Sequence, residues 1–403
     1  MRYIIKAVAA AAFTSLAAPA AAQPPAVQTP FEALAQDAAQ YAARHNVDLP
    51  EAMRRLRAQE ESVAASDRIR AEFADRLAGI AIEHRPDYRI VVLLAGDEPV
   101  PDRSVLAGGM RVPIHFRVDA AATSREIVEA IRRHQGALRR RFPRAQGMGA
   151  DPRSGELVLM LRDEDARALD LAQAEAELES IFGVPARIRL VDGPTSDARV
   201  EGGARVAGND SSGRRFYCTT GFIVTDGSRT GVVTAAHCPD ELTYFGPDGS
   251  NVPLTMVGAW GARYQDVQVH VREDAGEGMD RPLFYADPER RAARTVATWR
   301  NRTSTRAGDS VCHRGETTGY SCAEVELVDY APGGDLCAGP CEPVWVTVTG
   351  PSCRSGDSGG PIFNGNTAFG IVKGSSYRSD GSCAFYFYMS TDYLPEGWRL
   401  LVG

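Results

Sequence analysis

The chain has 403 residues, 44% apolar and 24% charged, which excludes wholesale disorder and leaves room for two ordinary domains. Its net charge of −7, from 45 Lys+Arg against 52 Asp+Glu, speaks against a polyanionic partner such as nucleic acid. Eight cysteines, an even number, all lie at or beyond Cys218, so one half can be stapled by disulfides and the other cannot.

At the N-terminus, Arg2 and Lys6 precede an Ala-rich apolar stretch from Ala7 to Ala18. Ala20-Ala21-Ala22 then stand before Gln23, a small-residue cleavage pattern. Residues 1–22 are therefore predicted to be a secretory signal peptide. The run is short and interrupted by Pro19, which disfavours a membrane anchor, and no later apolar run is long enough to span a bilayer. A secreted or periplasmic protein is expected, and export to an oxidising compartment makes disulfides the default reading of the cysteines.

Residues 23–30 are rich in Pro, Ala and Gln and are expected to be disordered. Phe31 to His45 has a helical, Ala-rich pattern. Leu49-Pro50-Glu51 opens another helix, with Met53, Leu56, Val63, Ile69, Phe73 and Leu77 on its apolar stripe. Strands are predicted at Arg89–Ala95 and Val112–Val118, and Thr123 to Glu126 is a capping box. A strand at Leu157–Leu161, a helix over Ala166–Phe182 and a strand at Arg187–Val191 follow, so the region reads as α+β. Beyond Gly193-Pro194 the texture changes to short segments rich in Val, Thr, Tyr and Phe between turn clusters. Thr219–Thr225, Gly231–Ala235, Val267–Val271, Val344–Val348, Ala368–Val372 and Ala384–Ser390 are predicted strands of an all-β sandwich or barrel. The boundary between the halves falls near residue 199. Lysine occurs only at Lys6 and Lys373, so nearly all positive charge is arginine.

Three segments of the second half carry chemistry together. Thr234-Ala235-Ala236-His237-Cys238 follows the strand-like Gly231-Val232-Val233. Gly356-Asp357-Ser358-Gly359-Gly360-Pro361 puts a hydroxyl in a glycine-rich loop, and Asp266 opens the alternation Val267, Val269, Val271. A serine hydroxyl is a poor nucleophile until a base takes its proton. His237 is suited to that task because imidazole titrates near neutral pH. A carboxylate then holds the imidazole in one tautomer and stabilises its charged form. Asp240, Asp248, Asp274 and Asp280 share the interval, and Asp266 is preferred for its place at the start of a strand. His270 reads as a surface or barrel histidine. The glycines let the backbone N–H groups of Gly356 and Ser358 converge on one point, as an oxyanion site requires. This chemistry needs no cofactor and no metal.

TAAHC with GDSGGP, in the order His, Asp, Ser, resembles the trypsin/chymotrypsin family of serine proteases. Cys218-Thr219-Thr220-Gly221-Phe222, and Val311-Cys312 running to Thr317-Thr318-Gly319-Tyr320-Ser321-Cys322, resemble the bacterial α-lytic protease and streptogrisin group. The resemblance implies two antiparallel six-stranded β-barrels and the disulfides Cys218–Cys238, Cys312–Cys322 and Cys353–Cys383. Cys337 and Cys341 are left over; a fourth bridge is expected, with a zinc site as the alternative. Asn46 to Ala52 is similar to the opening of that group's long pro-regions, and Asp151-Pro152-Arg153 before Glu156 to Leu159 to their late hairpin. The implied organisation is a pro-region at 23–199 that templates folding and inhibits, then a protease domain at 200–403. Arg199-Val200-Glu201-Gly202-Gly203 resembles the mature start, with Val200 as the new first residue. A monomeric endopeptidase acting on protein or peptide substrates follows, with an inactive binding homologue or an esterase as alternatives.

The sequence departs from the family at the specificity pocket, assigned by the resemblance to Ser352, Val372, Lys373 and Ser375. No carboxylate stands near Ser352, which disfavours cleavage after Arg or Lys. A medium apolar or aromatic side chain is expected there, with an acidic one as the alternative. Lys373 replaces the family's serine beside the aspartate; it either contacts Asp266 or points to solvent, the latter being favoured. His313 stands where the bacterial group often has arginine, and either it or Arg314 is expected to pair with Asp357 unless both face solvent.

Overall fold

The computed structural model describes residues 26–403 apart from 168, 192–194, 198–203, 210–212, 247–250, 273–280, 335 and 351. The leader expected at 1–22 and the cut expected between Arg199 and Val200 lie outside the described residues. The first helix, Pro30–His45, opens on a capping box in which the Thr29 hydroxyl accepts from the Glu32 amide and the Glu32 carboxylate accepts from the Thr29 amide. The single helix expected from Leu49 is instead two, Leu49–Glu61 and Val63–Glu72. The break has a tertiary partner: the hydroxyls of Ser62 and Ser66 both accept from the Arg306 guanidinium, at 3.1 and 2.9 Å. Leu77 leaves the helical stripe and begins the strand Leu77–Glu83.

That strand lies in a four-stranded sheet in the order Leu77–Glu83, Arg89–Ala95, Met110–Ala120, Arg103–Ala107. A second four-stranded sheet runs Tyr330–Pro332, Gly147–Asp151, Glu156–Arg162, Ala186–Val191. The helices Ser124–Arg141 and Leu171–Phe182 bury Ile127, Ile131, Leu138, Leu178 and Phe182 against Leu157, Leu159 and Leu161 of this sheet. The helix expected from Ala166 starts at Leu171, where Asp170 caps it.

The second half holds two eight-stranded sheets. One pairs Arg215–Thr219, Arg205–Asn209, Leu242–Phe245, Asn251–Trp260, Val267–Val271, Thr230–Thr234, Ile223–Thr225 and Arg399–Leu400 in that order. The strand expected over Thr219–Thr225 is thus two. The other sheet has a six-strand path, Gly319–Glu324, Ser310–Gly315, Pro361–Asn364, Thr367–Tyr377, Cys383–Ser390 and Val346–Thr349. Two short strands, Thr298–Trp299 and Thr195–Asp197, pair with Thr367–Tyr377 beside that path. All four expected disulfides are formed, including Cys337–Cys341.

The two halves exchange strands. Ala26–Val27 pairs in parallel with Ala292 and Ala293, Tyr330–Pro332 pairs with Gly147–Gly149, and Thr195–Asp197 pairs with Gly374–Ser376. Along the seam between them lie buried polar contacts. Asp37 in the first helix meets Arg294 through two 3.0 Å hydrogen bonds, with the side chains 1% and 0% exposed. Tyr320 Oη and the Gly365 amide each donate to the same carboxylate at 2.6 Å. Arg300 pairs with Glu60, and Arg306 donates to the Gln59 carbonyl. A buried ion pair that loses one member leaves the other uncompensated, a loss of about 3–5 kcal/mol. Asp37→Ala is expected to lower full-chain stability by about that much in urea unfolding, whereas the double change Asp37→Leu with Arg294→Met is expected to recover most of it.

Candidate active site

His237 sits in the turn that follows the strand Thr230–Thr234, and Asp266 stands one residue before the neighbouring strand Val267–Val271. The two strands pair through Thr234 with Gln268 and Val233 with Val269, so sheet register brings the two residues together. His237 Nδ1 lies 2.8 Å from Asp266 Oδ2, and the His237 amide donates to Oδ1 at 3.2 Å. An ionised carboxylate only accepts, so Nδ1 carries the proton and Nε2 is left to accept. Ser358 Oγ lies 2.9 Å from that Nε2. The Asp266 carboxyl is buried, which alone would raise its pKa, yet His237 and Lys373 together hold it down at about 2. Asp240, one of the competing aspartates, acts instead on His270, a buried strand histidine held neutral by burial.

The serine loop comes from the second sheet and is tied to the first by Thr219. The Thr219 amide donates to the Ser358 carbonyl at 2.8 Å and its hydroxyl to the Gly356 carbonyl at 2.7 Å. Thr234, at the end of the strand leading to His237, donates to the Thr219 carbonyl at 2.6 Å. The adjacent Cys218–Cys238 bridge fastens the same strand to the histidine turn. Gly359 has φ +80°, and a Cβ there would run into Thr234 Oγ1 and the Thr219 carbonyl, so the loop admits no side chain at this close approach. The carbonyls of Ser355 and Asp357 accept from Thr317 Oγ1 and the Gly360 amide. A trans peptide points its N–H away from its carbonyl, so these anchors set the direction of the Gly356 and Ser358 N–H groups. The motif spacing did not single out Thr219 or Thr317, although both lie inside quoted motifs.

Asp357 is buried beside Ser358 and accepts from the amides of Thr318 and Arg354 and from Thr318 Oγ1. His313 lies 3.9 Å from its carboxylate, whereas Arg314 turns to Glu316 and to the Asp287 and Pro288 carbonyls. Burial pushes the His313 pKa down and keeps it neutral. A directional chain results: Ser352 Oγ donates to Ser321 Oγ at 2.8 Å, and Ser321 to His313 Nδ1 at 3.3 Å. His313 Nε2 then donates to Thr318 Oγ1 at 3.0 Å, and Thr318 to Asp357 at 2.8 Å. Ser375 Oγ donates to Tyr377 Oη, and Val372 packs among Cys353, Phe369 and Tyr386 while its backbone bonds Gly359 and Gly360.

Lys373 does not take the orientation expected of it. Its side chain is 2% exposed, and Nζ lies 3.3 Å from Asp266 Oδ2, away from solvent. Both faces of its strand are buried, and a β-bulge falls at this residue: Val372 pairs with Tyr388 and Gly374 with Phe387, so Lys373 is an extra residue on its strand.

No family model matches the chain. Over 203 residues it is 28% identical to Streptogrisin-C of Streptomyces griseus, a match covering 49% of this chain and 40% of that protein. Over 169 residues it is 27% identical to Serine protease 2 of Streptomyces fradiae, covering 41% of this chain and 88% of that one. Both matches are to bacterial serine proteases and support a bacterial serine protease of the trypsin/chymotrypsin family. The structure of Thermobifida fusca Protease A is 23% identical, with a TM-score of 0.39, covering 50% of this chain and 100% of that one. The match to Streptogrisin-C spans less than half of that relative's length.

The depressed Asp266 pKa links the site to stability. A carboxylate whose folded pKa lies below its unfolded value near 4 adds stability above that value. This contribution is lost as pH falls from about 4 towards about 2. Urea midpoints measured across that window should fall more steeply in the parent chain than in Asp266→Asn, the difference being on the order of 2 kcal/mol.

Proposed function

We propose that the chain is a serine endopeptidase made as a precursor, cutting peptide bonds in protein or peptide substrates. The observation that carries this reading is the unbroken line from Asp266 through His237 to Ser358. Ser358 Oγ attacks the scissile carbonyl while His237 Nε2 takes its proton, and the tetrahedral oxyanion is held by the N–H groups of Gly356 and Ser358. The imidazolium, stabilised by Asp266, gives its proton to the leaving amine. Water then repeats the sequence on the acyl-enzyme. Asp357 shapes the loop from behind. The pocket takes a medium apolar or aromatic side chain, with Ser352 and Ser375 on its walls and no cofactor or metal involved.

In the same proposal, 1–22 is a leader, 23–199 a pro-region that assists folding and inhibits, and 200–403 a two-barrel catalytic domain that works as a monomer outside the cytoplasm. Four disulfides suit an oxidising compartment. Support for inhibition comes from Thr195–Asp197, whose antiparallel pairing with Gly374–Ser376 takes the edge that a substrate backbone needs. Ser358 is 0% exposed in the intact chain, as a covered cleft requires.

Ser358→Ala and His237→Ala should each lower peptide hydrolysis by about 10⁴-fold or more without changing the fold. Undiminished turnover in either variant would exclude the mechanism, and a comparison of peptide with ester substrates separates a peptidase from an esterase. Ser196→Pro breaks the pairing at Ser375 and should raise the activity of the intact precursor. Cleavage of a peptide library reads the pocket, and cuts confined to positions after Glu would overturn the apolar preference.

A further inference from the structure

Lysine is nearly absent from this protein, occurring only at positions 6 and 373, yet one of the two is buried against the acid of the triad. That residue is the extra one at the bulge between Val372 and Gly374, on a strand buried on both faces. Its ammonium lies 5.3 Å from the centroid of the Trp345 ring, a fully buried indole that gives the cation a π face in place of water. Two donors therefore share one oxygen: Asp266 Oδ2 is 2.8 Å from His237 Nδ1 and 3.3 Å from Lys373 Nζ.

We propose that Lys373 is a positioning residue that divides the charge of Asp266 with His237 and so extends the working range of the base towards lower pH. The inference rests on the triad reading above. In a triad where histidine is the only cation beside the acid, the whole negative charge of the carboxylate favours the imidazolium. Here the Lys373 ammonium beside the carboxylate already offsets part of that charge. The imidazolium is favoured less, and His237 sheds its proton at a lower pH. The buried carboxylate is meanwhile compensated whether His237 is charged or neutral, so the acid stays in place through each proton transfer.

The surroundings leave these groups to set the balance. His237 and Lys373 are the charged groups acting on Asp266. From the strand Cys383–Ser390, Met389 offers only its sulfur, which accepts from the Asp266 amide at 3.3 Å. Tyr388, paired with Val372, keeps its proton because burial raises its pKa well above the ordinary value. On Asp266's own strand His270 is neutral. Beyond Nε2 stands the neutral hydroxyl of Ser358.

The test is an NMR titration of His237 in the intact chain, using histidine labelled at Cε1 and assigned with His237→Gln. Three variants are compared with the parent: Lys373→Gln and Lys373→Ser, which remove the charge, and Lys373→Arg, which keeps it. In both neutral variants the His237 midpoint should rise by about one pH unit, and in the arginine variant it should stay near that of the parent. A midpoint in either folded neutral variant within about 0.2 units of the parent would overturn the proposal. So would a loss of fold in Lys373→Ser that Lys373→Arg does not rescue, since that marks a need for lysine's shape and not its charge. The acid limb of kcat/KM in the active enzyme should move with the midpoint, leaving about tenfold less neutral base at a given acidic pH. Ser358→Ala separates the two readings: it tests the nucleophile, while the His237 midpoint reports on Lys373 whether or not the chain turns over substrate.

Discussion

A carboxylate kept from water has to be compensated where it stands, and much of this molecule is arranged around that requirement. Four aspartates are buried among the described residues: Asp37, Asp266, Asp309 and Asp357. Each is met differently. Asp37 receives a guanidinium, a phenol and an amide across the seam. Asp309 is bracketed by Arg300 and Arg306. Asp357 draws on backbone amides and Thr318. Asp266 draws on the imidazole it must also orient, and on Lys373. The first two solutions hold the halves together, and the last two give the serine loop and the histidine their geometry.

The active centre depends on backbone as much as on side chains. Thr219 ties the histidine strand to the serine loop with three hydrogen bonds, and the Cys218–Cys238 bridge keeps that strand beside the histidine turn. On the other side of the loop, Gly359 and Gly360 are laced to Val372. Two sheets thus meet at one peptide segment, and Ser358 is placed by main-chain groups together with the hydroxyls of Thr219, Thr234 and Thr317. The hydrogen-bonded chain from Ser352 to Asp357 extends this order to the loop that carries Ser358.

The residues whose chemistry is local were legible in the sequence. His237, Ser358 and the glycines stand in contiguous motifs, and Asp266 announces itself by the alternation it opens. The disulfide partners came from resemblance, since spacing alone leaves their connectivity open. What stayed hidden depends on register and on distant partners. The apolar stripe from Met53 to Leu77 reads as one helix until Arg306, more than two hundred residues away, engages Ser62 and Ser66. Lys373 reads as a surface residue until its strand proves buried on both faces and Asp266, more than a hundred residues away, stands beside its ammonium. Thr219 was quoted as part of a motif, but its role consists of bonds to residues elsewhere in the chain.

The seam has one more consequence. Most lasting interfaces are closed with oily side chains, and parting them leaves a sticky surface. Here the guanidinium groups of Arg294, Arg300 and Arg306, with Asp309 among them, stand at the seam beside the strand pairings and apolar contacts that also cross it. Once parted, such groups hydrate readily and repel their like on a second molecule. The half left behind would present a wettable, self-avoiding face, so a junction that is firm while closed need not become a seed for clumping when it opens.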